Sequence, residues 1–160
     1  MIYTAAFESG GISFLVKADE KGILSLHFHP DKRALKAEEL KPVTHKAFFG
    51  IKKQLDEYFA GRRISFDLPL NFQTEGFRGE VYKVMKKIPH GKTLSYKDIA
   101  EKIKRPLASR AVGNACGANT IPIIIPCHRV LAAGGRLGGY SGGLDIKKKL
   151  LALEGIPFKG

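Results

Sequence analysis

Ile125-Pro126-Cys127-His128-Arg129-Val130 sets a thiol, an imidazole and a guanidinium in consecutive positions, directly after the apolar run of residues 121–125. A thiol is a weak nucleophile until it loses its proton, and neighbouring basic or cationic groups promote that loss. Pro126 restricts the backbone before Cys127 and removes a donor, so the chain itself places the sulfur. If the segment is a strand, Cys127 and His128 point to opposite faces, and a proton passing between them needs a water or a backbone turn. Two other chemistries use these residue types. A Cys–His hydrolase needs a polar side chain to orient its imidazole, and Asn119 can serve. A metal site needs further ligands at short spacing. Cys116, His90, His27 and His29 are not so spaced, and no metal is expected.

Upstream of this stretch, residues 107–118 read as a short helix. Ala108, Ala111, Ala115 and Ala118 lie along one side of it, beside Gly113 and Gly117. Glycine inside a helix costs about 1 kcal/mol relative to alanine. Two of them imply a contact that needs the space, either inside the protein or in a DNA groove. Pro106 separates this helix from another opened by Ser95-Tyr96-Lys97-Asp98, a capping-box pattern, with Ile99, Ala100 and Ile103 as its buried face. Two short helices across a tight break have the form of a helix-turn-helix. Ahead of them, Thr74 is placed to cap a helix with apolar positions Phe77, Val81, Val84, Met85 and Ile88, ended by Pro89-His90-Gly91. Downstream, Gly134-Gly135 reads as a hairpin turn between residues 130–131 and 136–137. The glycine-rich loop 138–143 lacks the Gly-Lys-Ser/Thr of a phosphate loop. Residues 144–153 form the last helix, and Lys147, Lys148 and Lys149 read as its solvated face.

The first half has a different texture. Residues 2–7, 12–16 and 23–28 are β-like runs, punctuated by Gly10-Gly11 and Lys21-Gly22 as hairpins are. Ala47, Phe48, Ile51, Leu55, Tyr58 and Phe59 recur at steps of three and four, which predicts an amphipathic helix over 43–59, stopped by Gly61. Residues 64–68 read as one further strand. The composition shifts at residues 71–74, which divides the chain into domains 1–72 and 73–160. The net charge of +12 is uneven: 11 Lys and Arg face 9 Asp and Glu in the first domain, against 16 and 6 in the second. The second domain therefore carries the field that attracts a polyanion. No run approaches the ~20 apolar residues of a membrane span and no signal peptide opens the chain. Two cysteines make no disulfide framework, which points to a reducing, intracellular compartment. The expected location is the cytoplasm, or the nucleus in a eukaryotic cell.

The hexapeptide resembles the active-site motif of the O6-alkylguanine-DNA alkyltransferases. The likeness continues in order through Ser95-Tyr96, Ser109-Arg110-Ala111-Val112-Gly113, Asn119, Tyr140-Ser141-Gly142-Gly143 and Leu153-Glu154-Gly155. It implies an α/β N-terminal domain, ribonuclease H-like, with an antiparallel sheet plus helix. It implies a mainly α C-terminal domain that is winged helix-turn-helix-like. The implied activity is direct reversal of DNA damage. An alkyl group passes irreversibly from O6-alkylguanine to the protein's own cysteine in a single turnover, with no cofactor, and the sequence leaves open whether O4-alkylthymine is also a substrate. The alternative is an alkyltransferase-like protein that binds lesions without transfer. Such relatives lack the cysteine, which this chain has.

The same resemblance assigns roles. Cys127 attacks the alkyl carbon. His128 takes its proton through a water, and Glu154 orients and charge-stabilises His128 as imidazolium. Asn119 bonds backbone in the turn that shapes the site. Tyr96 helps rotate the nucleotide and bonds N3 of guanine. Tyr140, Ser141 and Gly142 line the pocket, and Ser141 bonds O6. Arg110 fills the gap left by the extruded base while Ala111 and the small-residue helix enter the minor groove of double-stranded DNA. Lys97 and Arg105 bind phosphates. The implied state is a monomer, with cooperative assembly on DNA left open by the sequence. Some relatives hold an N-terminal zinc with cysteines, but this chain has none before Cys116. Cys116 falls at a pocket-wall position as a small buried side chain.

Overall fold

A computed structural model describes residues 1–37 and 39–160. It divides into two compact units, Met1–Phe72 and Gln73–Gly160. In the first, β1 (Tyr3–Ser9), β2 (Ile12–Asp19) and β3 (Gly22–Phe28) form an antiparallel sheet in sequence order. Gly10 and Gly11 turn the first hairpin with φ of 59° and 77°, the left-handed pair that matches strand twist. At the second hairpin Asp19 accepts from the amides of Lys21 and Gly22. Phe7, Phe14 and Phe28 sit in register across the three strands. Helix α1 (Lys32–Ala37) follows the sheet. Helix α2 (Ile51–Phe59) packs on β1 and buries Ile51, Leu55 and Tyr58.

Two expectations in this unit fail, each for a local reason. The helix over 43–59 begins only at Ile51. A single 3-10 turn, Lys46–Phe48, precedes it, capped by the His45 ring. Phe49 and Gly50, both left-handed at φ 55° and 77°, break the chain between them. Phe48 and Ile51 both stay fully buried, so the apolar spacing spans the break. Residues 64–68 form no strand. The chain instead meets β3 just beyond them, where the Ile23 amide donates to Pro69 and the Asn71 amide to Ile23.

In the second unit, α3 (Gly76–Lys86), α4 (Tyr96–Lys102) and α5 (Ser109–Gly117) pack together around Val81, Met85, Ile99, Ala100, Val112 and Ala115. Thr74 does not cap α3: Glu75 holds the cap position without a side-chain bond. Thr74 instead crosses the helix at Gly79, where a Cβ would lie 2.3 Å from the Thr74 carbonyl carbon. The capping box of α4 forms as expected, with Ser95 accepting from the Asp98 amide at 3.0 Å and Asp98 from the Ser95 amide at 2.8 Å. Lys104, left-handed at φ 60°, turns the chain between α4 and α5. β4 (Leu94–Ser95) pairs in parallel with β5 (Val130–Leu131). The expected hairpin at Gly134-Gly135 is thus a tight turn closed by one bridge, Ala132 to Arg136, because β5 takes its partner from β4. Helix α6 (Leu144–Leu153) covers the expected residues. No helix among the described residues is long and apolar enough to cross a membrane.

Candidate active site

The apolar run before Cys127 is a folded turn. The Asn119 side chain donates to the Ile125 carbonyl at 2.8 Å and accepts from the Ile121 amide at 3.0 Å. Inside this clasp Ile123 is held at φ 72° and fully buried, a conformation that a β-branched residue adopts only when its surroundings impose it. Pro126 then leads into a 3-10 turn, Cys127–Arg129. The segment is not a strand, and the turn sends successive side chains in different directions. Cys127 faces a cavity of about 540 Å³, within the ~300–1,000 Å³ usual for small-molecule sites.

Tyr96, Arg110, Cys116, Tyr140 and Ser141 line that cavity with Cys127. Gly138 and Gly139 complete its loop wall, while Gly142 lies outside the lining. Tyr96 is pressed against this wall. A Cβ on Gly138, whose φ is 68°, would lie 2.5 Å from the Tyr96 hydroxyl. Gly138→Ala is therefore expected to push the Tyr96 ring aside, at some cost in stability from the strained φ, and to slow the transfer that the sequence leads one to expect, measured as a single-turnover rate. An unchanged rate would show that the Tyr96 position is unimportant.

His128 points away from the cavity, into a buried cluster. Its Nε2 lies 2.6 Å from Glu154 Oε2. Arg129 donates to both oxygens of Glu154, at 2.8 and 3.1 Å, and to the Ile88 carbonyl at 2.7 Å. Glu154 also accepts from the Gly91 amide at 3.1 Å. Glu154 acts on His128 in the expected sense, raising it, but burial outweighs it. Arg129 already balances the one negative charge, and burial pushes His128 below its ordinary 6.5 despite the Glu154 bond. A neutral ring that donates from Nε2 keeps Nδ1 as an acceptor, and Nδ1 has no partner among the described residues. Burial also raises the Cys127 thiol above its ordinary value. Asn119, Lys147 and Tyr140 act in the opposite sense.

The sign for stability follows. The unfolded chain binds a proton on His128 at higher pH than the native state does. The contribution is therefore complete above 6.5 and is lost as the pH falls below it towards the depressed native value. Thermal melts should show this acid loss in the wild type and a flatter profile in His128→Asn.

The remaining expected residues spread over the helix-turn-helix. Arg110, Ala111, Asn114 and Gly117 make the exposed face of α5. The expected stripe of four alanines is split, since Ala115 is buried in the opposite face. Nothing lies within 4 Å of a Cβ built on Gly117, and only the Tyr96 ring, at 4.0 Å, approaches one on Gly113. Packing inside the protein therefore does not require either glycine. Lys97 and Arg105 sit in exposed ion pairs with Glu101 and Glu80, at 3.9 and 3.4 Å. Pairs of that kind are worth ~0–1 kcal/mol and yield to a stronger anion.

Two residues had no role in the sequence reading. Arg129 stood in the opening motif, but only the fold shows it gripping Glu154. Lys147 was read as solvated, yet it is fully buried. Its position three and four residues before Leu150 and Leu151 is the signal that places it on the apolar face.

The sequence profile of the 6-O-methylguanine DNA methyltransferase ribonuclease-like domain matches residues 3–72, and that of the DNA-binding domain of the same proteins matches residues 76–156. The chain belongs to the O6-alkylguanine-DNA alkyltransferase family. It is 42% identical over 154 residues to a methylated-DNA–protein-cysteine methyltransferase of Methanosarcina acetivorans, covering 96% of this chain and 99% of that one. A protein of the same name from Metallosphaera sedula is 46% identical over 146 residues, covering 91% and 87%. Among solved structures, the O6-methylguanine methyltransferase of Mycobacterium tuberculosis superposes with a TM-score of 0.84 at 36% identity, covering 96% of this chain and 93% of that one. The same enzyme in complex with DNA gives 0.82 over the same shares. The alkyltransferase described here is thus a DNA-binding repair methyltransferase that reverses damage directly.

Proposed function

We propose that Cys127 is the acceptor and that O6-alkylguanine, turned out of double-stranded DNA, is the substrate, with O4-alkylthymine a second lesion to test. The observation that carries this reading is the shared cavity: the motif thiol, Tyr96, Arg110 and Ser141 line one space beside the exposed face of α5. Extruding a base costs a few kcal/mol, and less for a damaged pair. Arg110, exposed at the cavity wall, fills the vacated stack. The small face of α5, with its two unneeded-inside glycines, allows the helix deep into the minor groove. Lys97 and Arg105 exchange their weak carboxylate partners for phosphates.

Chemistry follows from the same geometry. The Cys127 proton passes through a water to Nδ1 of the neutral His128, whose Nε2 bond to Glu154 fixes the ring. The sulfur attacks the alkyl carbon as the carbon–O6 bond breaks, and the electron pair stays on the guanine. Tyr96 meets that charge at N3 and Ser141 at O6. Burial raises the Tyr96 hydroxyl above its ordinary value, which keeps it protonated and able to donate. Asn119 holds the turn that presents the thiol. The thioether formed is not cleaved by water, so each chain acts once, as a monomer in the compartment that holds the DNA. With excess duplex carrying O6-methylguanine, methyl uptake should stop at one group per chain. Continued release of repaired DNA beyond that plateau would contradict the reading.

A further inference from the structure

The exposed face of α5 carries one polar side chain to which the mechanism gives no task. Of the residues that make this face, Ala111 and Gly117 offer no polar side-chain atom, and Arg110 is assigned to the vacated stack. Asn114 remains. It follows Arg110 by one helical turn, is exposed like it, and lines the cavity together with Arg110, Gly113 and Gly117. Its side-chain amide meets no hydrogen-bond partner among the described residues. Only its main chain is engaged, the carbonyl accepting from the Ala118 amide at 3.1 Å. Helix formation does not call for it either, since asparagine is a weaker helix former than alanine and the C-cap of α5 is Ala118.

Its neighbours decide how close it comes to DNA. Gly113 precedes it, and a Cβ built on Gly117, three residues on, meets nothing within 4 Å. Side chains this small let the helix sink until the groove floor, and not the phosphate rim, lies against Asn114. The phosphates are left to Lys97 and Arg105. A neutral amide gains little from the phosphate field, but it can donate and accept at once. The floor of the minor groove presents acceptors on every pair, purine N3 and pyrimidine O2, and a single kind of donor, the N2 amino group of guanine. An amide that donates to guanine N3 and accepts from that amino group makes two bonds with a G·C pair and one with an A·T pair. Four residues of helix set Asn114 ~6 Å beyond Arg110 along the axis, and nucleotides succeed one another every ~3.4 Å along a strand. The pair that Asn114 meets is therefore the first or second beyond the gap.

We propose that Asn114 is a specificity-determining residue: it reads the minor-groove edge of a base pair one or two steps from the extruded nucleotide and favours guanine there. This rests on the reading that the lesion is turned out of double-stranded DNA while α5 lies in the minor groove. It adds a preference for flanking sequence to a reaction whose other contacts go to the lesion and to phosphates, and phosphates carry no sequence information.

The test compares lesion duplexes that differ by a single amino group. Guanine at the first or second pair on either side of O6-methylguanine is replaced by inosine, which lacks the N2 amino group. The second-order rate of methyl transfer is then measured for the wild type and for Asn114→Ala. Inosine also loosens its own pair and so eases extrusion for both proteins. The informative quantity is therefore the guanine-to-inosine rate ratio of the wild type divided by that of the variant, from which any overall change in rate cancels. At one or more of the flanking positions this quotient should stand about two- to tenfold above unity, the worth of one hydrogen bond. A quotient of unity at every position overturns the proposal, whether neither protein discriminates or both do. So does a quotient below unity throughout. Asn114 is exposed and alanine favours a helix, so the variant should fold, and its melting curve checks that. Failure of the underlying reading looks different: Cys127 would then gain no methyl from any of these duplexes.

Discussion

Cys127→Ser should abolish methyl transfer from O6-methylguanine DNA while leaving lesion binding intact. The serine hydroxyl is nearly isosteric with the thiol but far harder to ionise, and a base that acts only through a water does not make up the difference. His128 is neutral and faces the buried cluster, so it can receive a proton only through an intermediary. The single-turnover rate should fall below detection. Binding should survive because the surfaces assigned to DNA, Arg110 and the exposed face of α5, do not depend on the sulfur. Equilibrium titration of labelled lesion duplex checks the second half. A variant that lost binding and transfer together would mean that the substitution disturbs the turn and not only the chemistry. A variant that kept transfer would move the acceptor to Cys116, the other thiol lining the cavity.

The second large effect is on stability. Glu154 holds Arg129 through two bonds and His128 through one, all three residues buried, and accepts one more bond from the exposed Gly91 amide. Glu154→Gln removes the one negative charge and leaves the Arg129 guanidinium buried without a counter-charge, its bond to the Ile88 carbonyl aside. Removing one member of a buried pair costs about 3–5 kcal/mol, and chemical denaturation should show a loss of that size. Exposed pairs serve as the control. Glu101→Gln, which breaks the contact with Lys97, should change stability by less than ~1 kcal/mol. If Glu154→Gln were as mild as Glu101→Gln, the cluster would not be the structural anchor of the turn. Transfer should also slow in Glu154→Gln, because the imidazole loses the carboxylate that fixes its Nε2 proton.

The extent to which the sequence disclosed this arrangement depended on distance along the chain. The three strands, α4 with its capping box, and α6 are set by neighbours within a few residues, and their patterns were legible. The helix over 43–59 misled because Phe48 and Ile51 keep helical spacing across a break made by two left-handed residues, and spacing does not report φ. The strand over 64–68 failed because the sheet accepts the chain at Pro69–Asn71 through main-chain bonds that carry no side-chain pattern. The site divided in the same way. Cys127, His128, Tyr96, Arg110 and Ser141 came from motif residues, and the fold brings most of them to one cavity. Arg129, by contrast, earns its importance from Glu154, which is distant in sequence. The net balance at His128 was not legible because burial and a competing arginine, which oppose Glu154, are properties of the folded cluster alone. Lys147 was misjudged because a run of three lysines hides one member that falls on the buried face.

The measurement that bears most directly on the central claim is the mass of the peptide containing Cys127 after incubation with duplex DNA bearing O6-methylguanine. The account predicts that this peptide gains one methyl group in proportion to the guanine restored, and that the peptide containing Cys116 gains none. Restored guanine with an unmodified Cys127 peptide would contradict it.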